Sequence, residues 1–210
     1  MPVVCTPELL SVHQQAVERG AFFEGGRAMK FETERLILRE WQDTPDDLAA
    51  LKEFLQDPQV MTAYEHAFSE EEVRHWLSWN LDSYQQNGFG LWALVRKADQ
   101  RIIGECGLTL QQVKGQTYVE VGYHLIQDAW HQGYALEAAQ GCKRYAFDTL
   151  KIAEVVSIVR DINLASLNVA IRNGMVARDR YVKEYYGQTM PHYLMMIRRD
   201  EDAALSLGHN

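Results

Sequence analysis

The chain is short of cysteine, has no long apolar run and carries no excess of positive charge. Its three cysteines, Cys5, Cys106 and Cys142, are far apart and odd in number, and none belongs to a CxxC pair or a Cys/His ligand spacing. Neither a disulfide framework nor a structural metal site is therefore expected. No apolar stretch approaches the ~20 residues of a membrane span. The first residues carry neither a basic n-region nor an apolar h-region, so the expected compartment is the cytoplasm. Lys and Arg number 21 against 29 Asp and Glu, for a formal net charge of −8. A duplex nucleic-acid partner needs a basic face that releases counterions and is not expected, whereas this balance suits a cationic or amine-bearing partner. Neither GxGxxG nor a Gly-Lys-Ser/Thr phosphate loop occurs, which disfavours dinucleotide and ATP sites. What is present is a chain of 210 residues, 47% hydrophobic and 24% charged, enough for one domain with a filled core.

Residues 1–29 read as an accessory helical extension. Thr6-Pro7-Glu8 supplies an N-cap, a first-turn proline and a first-turn acid, and Leu9, Val12, Ala16 and Val17 share one helical face before Gly20. Gly25-Gly26 interrupts the chain before Met29, which could itself start translation. The segment is a docked extra helix or an over-long start on one reading, and a dimer contact or lid on the other. Residues 30–199 read as one mixed α/β domain, and 200–210 as a tail.

Within that domain, 35–41 alternates polar and apolar like a half-buried strand. Thr44-Pro45-Asp46-Asp47 opens a helix with Leu48, Leu51 and Leu55 inward, and Ser69 with Glu72 forms a capping box for a second. Strands are expected at 89–96, 101–110 and 117–126, joined by turns at 98–100 and 114–116. A helix over 133–150, a β-branched strand at 153–160, a short helix at 164–173 closed by Gly174, and a hairpin of 178–186 with 192–198 complete the pattern.

The segment Trp130-His-Gln-Gly133-Tyr134-Ala135-Leu-Glu137-Ala138 carries the chemistry. A strand runs into a glycine turn that opens a helix. Free amides at a helix N-terminus, with the dipole behind them, attract an anion. Ordinary turn chemistry gives the same pattern, so the surroundings decide. Three further segments occur in order: Thr33-Glu-Arg35-Leu-Ile-Leu-Arg39, Glu120-Val-Gly122-Tyr123, and Asn163-Leu-Ala-Ser166 followed by Asn173-Gly174-Met175. Together they resemble the GNAT superfamily of N-acetyltransferases, in the branch of the ribosomal-protein-alanine (Rim-type) enzymes. The likeness covers about residues 30–199.

The resemblance implies a mixed, mostly antiparallel, splayed central sheet flanked by helices, and an acetyl-CoA-dependent transfer to a primary amine with no metal. Residue by residue, it implies that backbone groups of His124, Leu125 and Ile126 pair with the pantetheine arm. It implies that amides from His131 through Gln132, Gly133, Tyr134, Ala135 and Leu136 hold the pyrophosphate, and that Asn163 hydrogen-bonds the arm. Glu120 is the candidate base, with simple ion pairing or solvation as the alternative. The tyrosine many members place seven residues after the helix asparagine is Ala170 here. Ser166 is the substitute donor, with a plain helix-start role as its alternative. Met175 replaces the usual aromatic as a packing change. Tyr64, Glu65, His66, Trp76, Trp79, Tyr185 and Tyr186 are candidates for the amine's surroundings, although an aromatic stripe such as Trp76 and Tyr84 is commonly core. Cys106 and Cys142 lack a histidine partner in sequence, which favours direct transfer in a ternary complex over a covalent acyl-enzyme. The acceptor is a peptide α-amine or a small-molecule amine, and the chain a monomer or homodimer. The competing reading is a non-catalytic acyl-CoA-binding regulatory module.

Overall fold

The computed structural model describes residues 29–185 and 187–207. The helix expected within 1–28, Cys5 and Tyr186 lie outside the described residues. The chain opens with a short strand that the alternation rule did not single out, β1 (Met29–Glu32), hairpinned to β2 (Leu36–Arg39). Thr44 caps α1 (Pro45–Leu55), accepting from the Asp47 N–H, with Pro45 in the first turn where its missing N–H costs nothing. Ser69 and Glu72 complete both bonds of the capping box at the start of α2 (Glu70–Asn87). Between them lies a 3₁₀ turn, Val60–Tyr64.

Strands β3 (Leu91–Arg96), β4 (Ile102–Val113) and β5 (Gln116–Leu125) form the antiparallel meander read from the sequence. The β4–β5 loop is only Lys114-Gly115, with φ of +51° and +83°. Two successive left-handed residues give the twist that a two-residue hairpin loop needs. Next come α3 (Tyr134–Arg144), β6 (Glu154–Arg160), α4 (Leu164–Arg172), β7 (Val176–Tyr185) and β8 (Gln188–Arg198). The helix expected to reach residue 150 ends at Arg144 and widens into a π-turn over Tyr145–Thr149. The expected C-terminal tail is instead a helix, α5 (Arg199–Leu207), tied to α3 by the Lys143–Asp202 ion pair at 2.6 Å. No helix among the described residues is long and apolar enough to cross a membrane.

The eight strands form one sheet in the order β1-β2-β3-β4-β5-β6-β8-β7. Every neighbouring pair is antiparallel except β5 with β6, which run parallel and share the single bridge pair Glu120–Val156. The sheet is therefore mixed, mostly antiparallel and splayed at its middle. Because strand side chains alternate between faces, register sorts the residues. One face carries Glu105 and Thr109 on β4, Glu120 and His124 on β5, Arg160 on β6 and His192 on β8. Helices α1 and α2 approach this face, through Trp41 just before α1 and Trp76 on α2. The other face carries Cys106 toward Cys142 of α3, with buried sulfurs 3.4 Å apart, and packs Phe31, Trp92 and Tyr145.

Two close contacts fix the frame. Arg39 and Asp47 form a bidentate pair at 2.6–2.7 Å, both buried, pinning α1 to β2. A Cβ on Gly107 of β4 would lie 2.0 Å from the Gly90 carbonyl oxygen, so only glycine lets the chain beside β3 come this close. Gly107→Ala is expected to lower stability by at least the 1–3 kcal/mol of typical overpacking, about 2 kcal/mol or more, because backbone rather than a side chain must move. Thermal unfolding at neutral pH checks this, and an unchanged Tm refutes the close approach.

Candidate active site

The first component is the N-terminus of α3. Its N-cap is Gly133, in a left-handed conformation with φ +83°, and no side chain caps it. His131 is also left-handed, with φ +57°, and His131, Gln132 and Gly133 are exposed. Amides of the first helical turn have no intrahelical acceptors, and alternating left-handed residues turn such amides inward on an anion. Arg35 braces this loop. Its Nε donates to Glu137 at 2.6 Å, its Nη1 to the Gln132 carbonyl at 3.0 Å, and its guanidinium lies 4.4 Å from the Tyr134 ring centre. Burial works to raise the Glu137 pKa, but hydrogen bonds from the Thr33 hydroxyl and Arg35, with the guanidinium's charge, outweigh it and leave the carboxyl below its ordinary value. Two segments a hundred residues apart in the chain thus meet through one ion pair.

The second component is the gap between β5 and β6. Beyond Glu120–Val156 the strands part. Ser157 Oγ donates to the Val121 carbonyl at 2.8 Å, and Tyr123 Oη to the Ser166 carbonyl at 3.1 Å. These contacts tie the two arms where no strand ladder does. Asn163 caps α4, its Oδ1 accepting from the Ser166 N–H at 3.1 Å. Ser166 lies in that first turn, and its hydroxyl makes no hydrogen bond among the described residues. Of the three β5 positions expected to pair with a ligand backbone, the Leu125 carbonyl accepts from Trp130 Nε1 at 2.9 Å, and the Ile126 N–H donates to the Ile103 carbonyl at 3.0 Å. Ala170, where the family tyrosine is missing, is fully buried.

The third component faces α1 and α2. Glu120 is half-buried, with Oε1 accepting from the Ile158 N–H at 3.1 Å and Oε2 from Thr109 at 3.2 Å. It therefore bridges the strands at the point where they part. Burial pushes its pKa above the ordinary value, against the opposing pull of Lys183, the Ile158 N–H, Thr109 and His124. On the same face, Glu105 is completely buried and accepts from Trp76 Nε1 at 3.0 Å, His124 Nδ1 at 2.9 Å and Trp41 Nε1 at 3.2 Å. The His124 ring sits 5.4 Å from Tyr64, 6.0 Å from Trp76 and 6.3 Å from Phe54.

Of the residues expected around an amine, Tyr64 and Trp76 are brought to His124, with Trp79 stacked behind Trp76 at 5.3 Å. Glu65 pairs with Arg160 of β6. His66 turns away to Glu72 at 2.9 Å. The Tyr185 side chain and Tyr186 lie outside what the structure describes. Sequence reasoning missed Glu105, Arg160 and Tyr181. Glu105 stands in the apolar run 102–110 just as Glu120 stands in its own apolar strand, so the same signal was available for it. Nothing local marks the other two. No cluster of His, Cys, Asp and Glu among the described residues has the spacing of a metal site.

Comparison with known proteins identifies the family and agrees with the fold. The family described as an acetyltransferase (GNAT) domain matches residues 35–176. The Bacillus subtilis protein YkkB is 33% identical over 146 residues, covering 70% of this chain and 84% of YkkB. A GNAT-family acetyltransferase structure from Bacillus anthracis superposes with a TM-score of 0.68 at 22% identity, covering 80% of this chain and 98% of that one. RimL, a ribosomal L7/L12 α-N-protein acetyltransferase solved with coenzyme A, gives 0.65 at 18% identity, covering 82% and 99%.

The raised pKa of Glu120 has a sign that thermal unfolding reads. Between the ordinary carboxyl value of 4.5 and the raised one, the folded chain keeps a proton that the unfolded chain has released. Stability therefore falls as pH rises through that window and stays lower above it. Gln cannot ionise, and its carbonyl still accepts from Ile158. Glu120→Gln should show no Tm advantage at about pH 4 and an advantage at about pH 8. A disadvantage that grows with pH contradicts the assignment.

Proposed function

The chain belongs to the GNAT acetyltransferase family and is an acyltransferase, and on that premise we propose that it moves the acetyl group of acetyl-CoA to a primary amine by direct transfer in a ternary complex. The observation that carries the reading is the position of Glu120. It stands at the one bridge pair of β5 and β6, with an uncapped helix N-terminus at one end of the gap and an acid- and aromatic-lined face on its own side.

The residues fit the co-substrate. Unpaired amides from His131 to Leu136 suit a pyrophosphate, Gly133 leaves room for close approach, and Arg35 adds a cation that is about two-fifths exposed. The backbone over His124, Leu125 and Ile126, although the Leu125 carbonyl and the Ile126 N–H already have partners, is where a pantetheine arm would lie along the strand as a further strand would, with Asn163 as a further hydrogen-bonding group. Acetyl-CoA supplies an activated acyl thioester, and the chain supplies position and proton transfer. Alkyl amines are mostly protonated at neutral pH, with a pKa near ~10.4 for lysine, so the reaction needs a base. A half-buried carboxylate with a raised pKa, at the point where the strands part, is the group we assign to accept that proton directly or through a water. Backbone N–H groups at the gap stabilise the oxyanion that forms as the amine adds. Ser166, with a hydroxyl free among the described residues, is the group available to return a proton to the departing thiolate. The two buried thiols touch each other, and burial holds the Cys106 pKa well up, which disfavours a thiolate nucleophile there. The proposed setting is the cytoplasm.

Thiol release from acetyl-CoA over a panel of amines and N-terminal peptides tests the reading. Turnover of at least one amine is expected. Glu120→Gln should lower kcat by roughly 10²–10⁴-fold with CoA binding retained. Gly133→Asp should abolish CoA binding through clash and like charge at the loop. If CoA compounds neither bind nor shift Tm, the proposal fails. If they bind with no turnover and Glu120→Gln changes nothing, the chain is an acyl-CoA-binding module.

A further inference from the structure

Across the far half of the amine-side face, three side chains stand in one row. Arg160 of β6 is paired with His192 of β8, and His192 with Tyr181 of β7, in antiparallel register. Directly opposed residues bring their Cβ atoms within about 4.5–5.5 Å. The Tyr181 and His192 rings confirm the contact, with centres 6.2 Å apart. The row begins where Glu65, from the turn after α1, pairs with Arg160.

Two members of this row carry a buried donor with no partner among the described residues: Nε of Arg160 and the phenol Oη of Tyr181. Buried polar groups are nearly always satisfied, and each exception requires an explanation. Arg39 Nε, Trp92 Nε1 and Asn173 Oδ1 are also unpartnered among the described residues, but Arg160 Nε and Tyr181 Oη flank one residue, His192. Between them, His192 Nδ1 donates to the Met190 carbonyl at 2.9 Å. Neither orphan is a stray surface group. Arg160 is fixed by Glu65 through Nη1, which leaves Nε without a partner among the described residues. Tyr181 packs its ring on the small apolar cluster of Val113, Val156, Leu194 and Met196, which fixes where its hydroxyl lies.

The charges around the row are mixed, with cations acting on His192 and the carboxylates of Glu120 and Asp179 acting on Tyr181. Burial lowers the His192 pKa, the Met190 carbonyl opposes it, and Lys183 and Arg160 push it lower still, so the imidazole sits in positive surroundings despite the chain's net negative charge. Among the acids around the row, Glu65, Asp161 and Asp179 already pair with Arg160, Arg180 and Lys114, and Glu120 bears on Tyr181. The row is also close to the reacting end. Glu120 is bridged to Val156, four residues before Arg160 on the same strand, roughly 13 Å of backbone at 3.3 Å per residue. Long side chains shorten that distance, and the Glu120 charge, after burial, helps raise the Tyr181 pKa to about 12, so the phenol keeps its proton and remains a donor.

We propose that Arg160 Nε and Tyr181 Oη form a subsite for an oxyanion, so that the preferred acceptor is an amine that also carries a carboxylate or phosphate group. The proposal rests on the acetyl-transfer reading only in placing the amine at Glu120. A guanidinium N–H and a phenol O–H offered together suit a charged oxygen, because hydrogen bonds to an ionised acceptor are about twice as strong as neutral ones.

The test uses matched amines on the CoA-saturated full chain: leucine against leucinamide for the carboxylate, and O-phosphoethanolamine against ethanolamine for the phosphate. Binding is measured by calorimetry and turnover by thiol release. In at least one pair the oxyanion-bearing member should bind about tenfold tighter or better, and which pair shows it identifies the oxyanion. Tyr181→Phe removes only a hydroxyl without a partner, so its Tm should not fall, while the preference within the responsive pair should shrink roughly tenfold. Arg160→Lys keeps the charge that faces Glu65 but lacks Nε, and should shrink the preference likewise. Equal affinity within both pairs, or a preference unchanged in Tyr181→Phe, overturns the subsite. Preference in binding with no thiol release from any amine keeps the subsite and sinks acetyl transfer. Thiol release with no preference keeps acetyl transfer and sinks the subsite.

Discussion

The single bridge pair between β5 and β6 is the constraint on which the rest of the structure depends. Everywhere else in the sheet, antiparallel neighbours share ladders of three to ten residue pairs, but here two parallel strands touch at Glu120 and Val156 and then part. A parallel neighbour requires a crossover connection, and α3 is part of it. The helix that makes the crossover thereby starts beside the gap, so topology alone delivers an uncapped helix N-terminus to the place where the sheet opens. Ser157 and Tyr123 replace the missing ladder with side-chain bonds, holding the arms apart at a fixed width. Glu120 sits on that single bridge, and its carboxylate also accepts from the Ile158 N–H of β6.

On the amine side the architecture is held by buried charge rather than by apolar packing alone. Glu105 has no exposed surface, yet three N–H donors converge on it from β5, α2 and the segment before α1. Arg39 and Asp47 do the same between β2 and α1. Removing one partner from such an arrangement leaves an unpaired buried charge, which is far more costly than never having had the pair. These contacts specify where the first two helices lie over the sheet, and thus where Tyr64, Glu65 and Trp76 reach the gap.

The net charge of the chain takes on a different meaning at this resolution. Taken over the whole sequence, it suits a cationic partner. Over the site it is divided: Glu105 and Glu120 lie along β4 and β5, while Arg160 and Lys183 lie on β6 and β7. Acids on one pair of strands beside bases on the next present a pattern of charge rather than a single sign. The total of −8 is a statement about solubility and long-range attraction, and the local arrangement decides recognition.

Much of the fold could be read directly because the interactions that determine it span only a few residues. Thr44-Pro45, the Ser69–Glu72 box, the Lys114-Gly115 hairpin and Gly174 after α4 each act within about one turn, and each stands where its pattern said. The Gly133 turn was legible for the same reason. The strand β1 and the helix α5 escaped because their sequences carry no such local punctuation, and contacts elsewhere in the chain hold them: pairing with β2, and Lys143 with Asp202. The pairs Glu105–His124, Arg35–Glu137 and Arg160–Glu65 were equally hidden. Each joins residues from 19 to 102 positions apart whose meeting depends on strand order and register. The sequence by itself determined the family, most of the elements and the glycine turn before α3, because local chemistry is written residue by residue. Only the tertiary structure decided which acids, cations and rings share the face above the gap, because cross-strand register is a property of the assembled sheet and a shift of one residue sends every side chain to the opposite side.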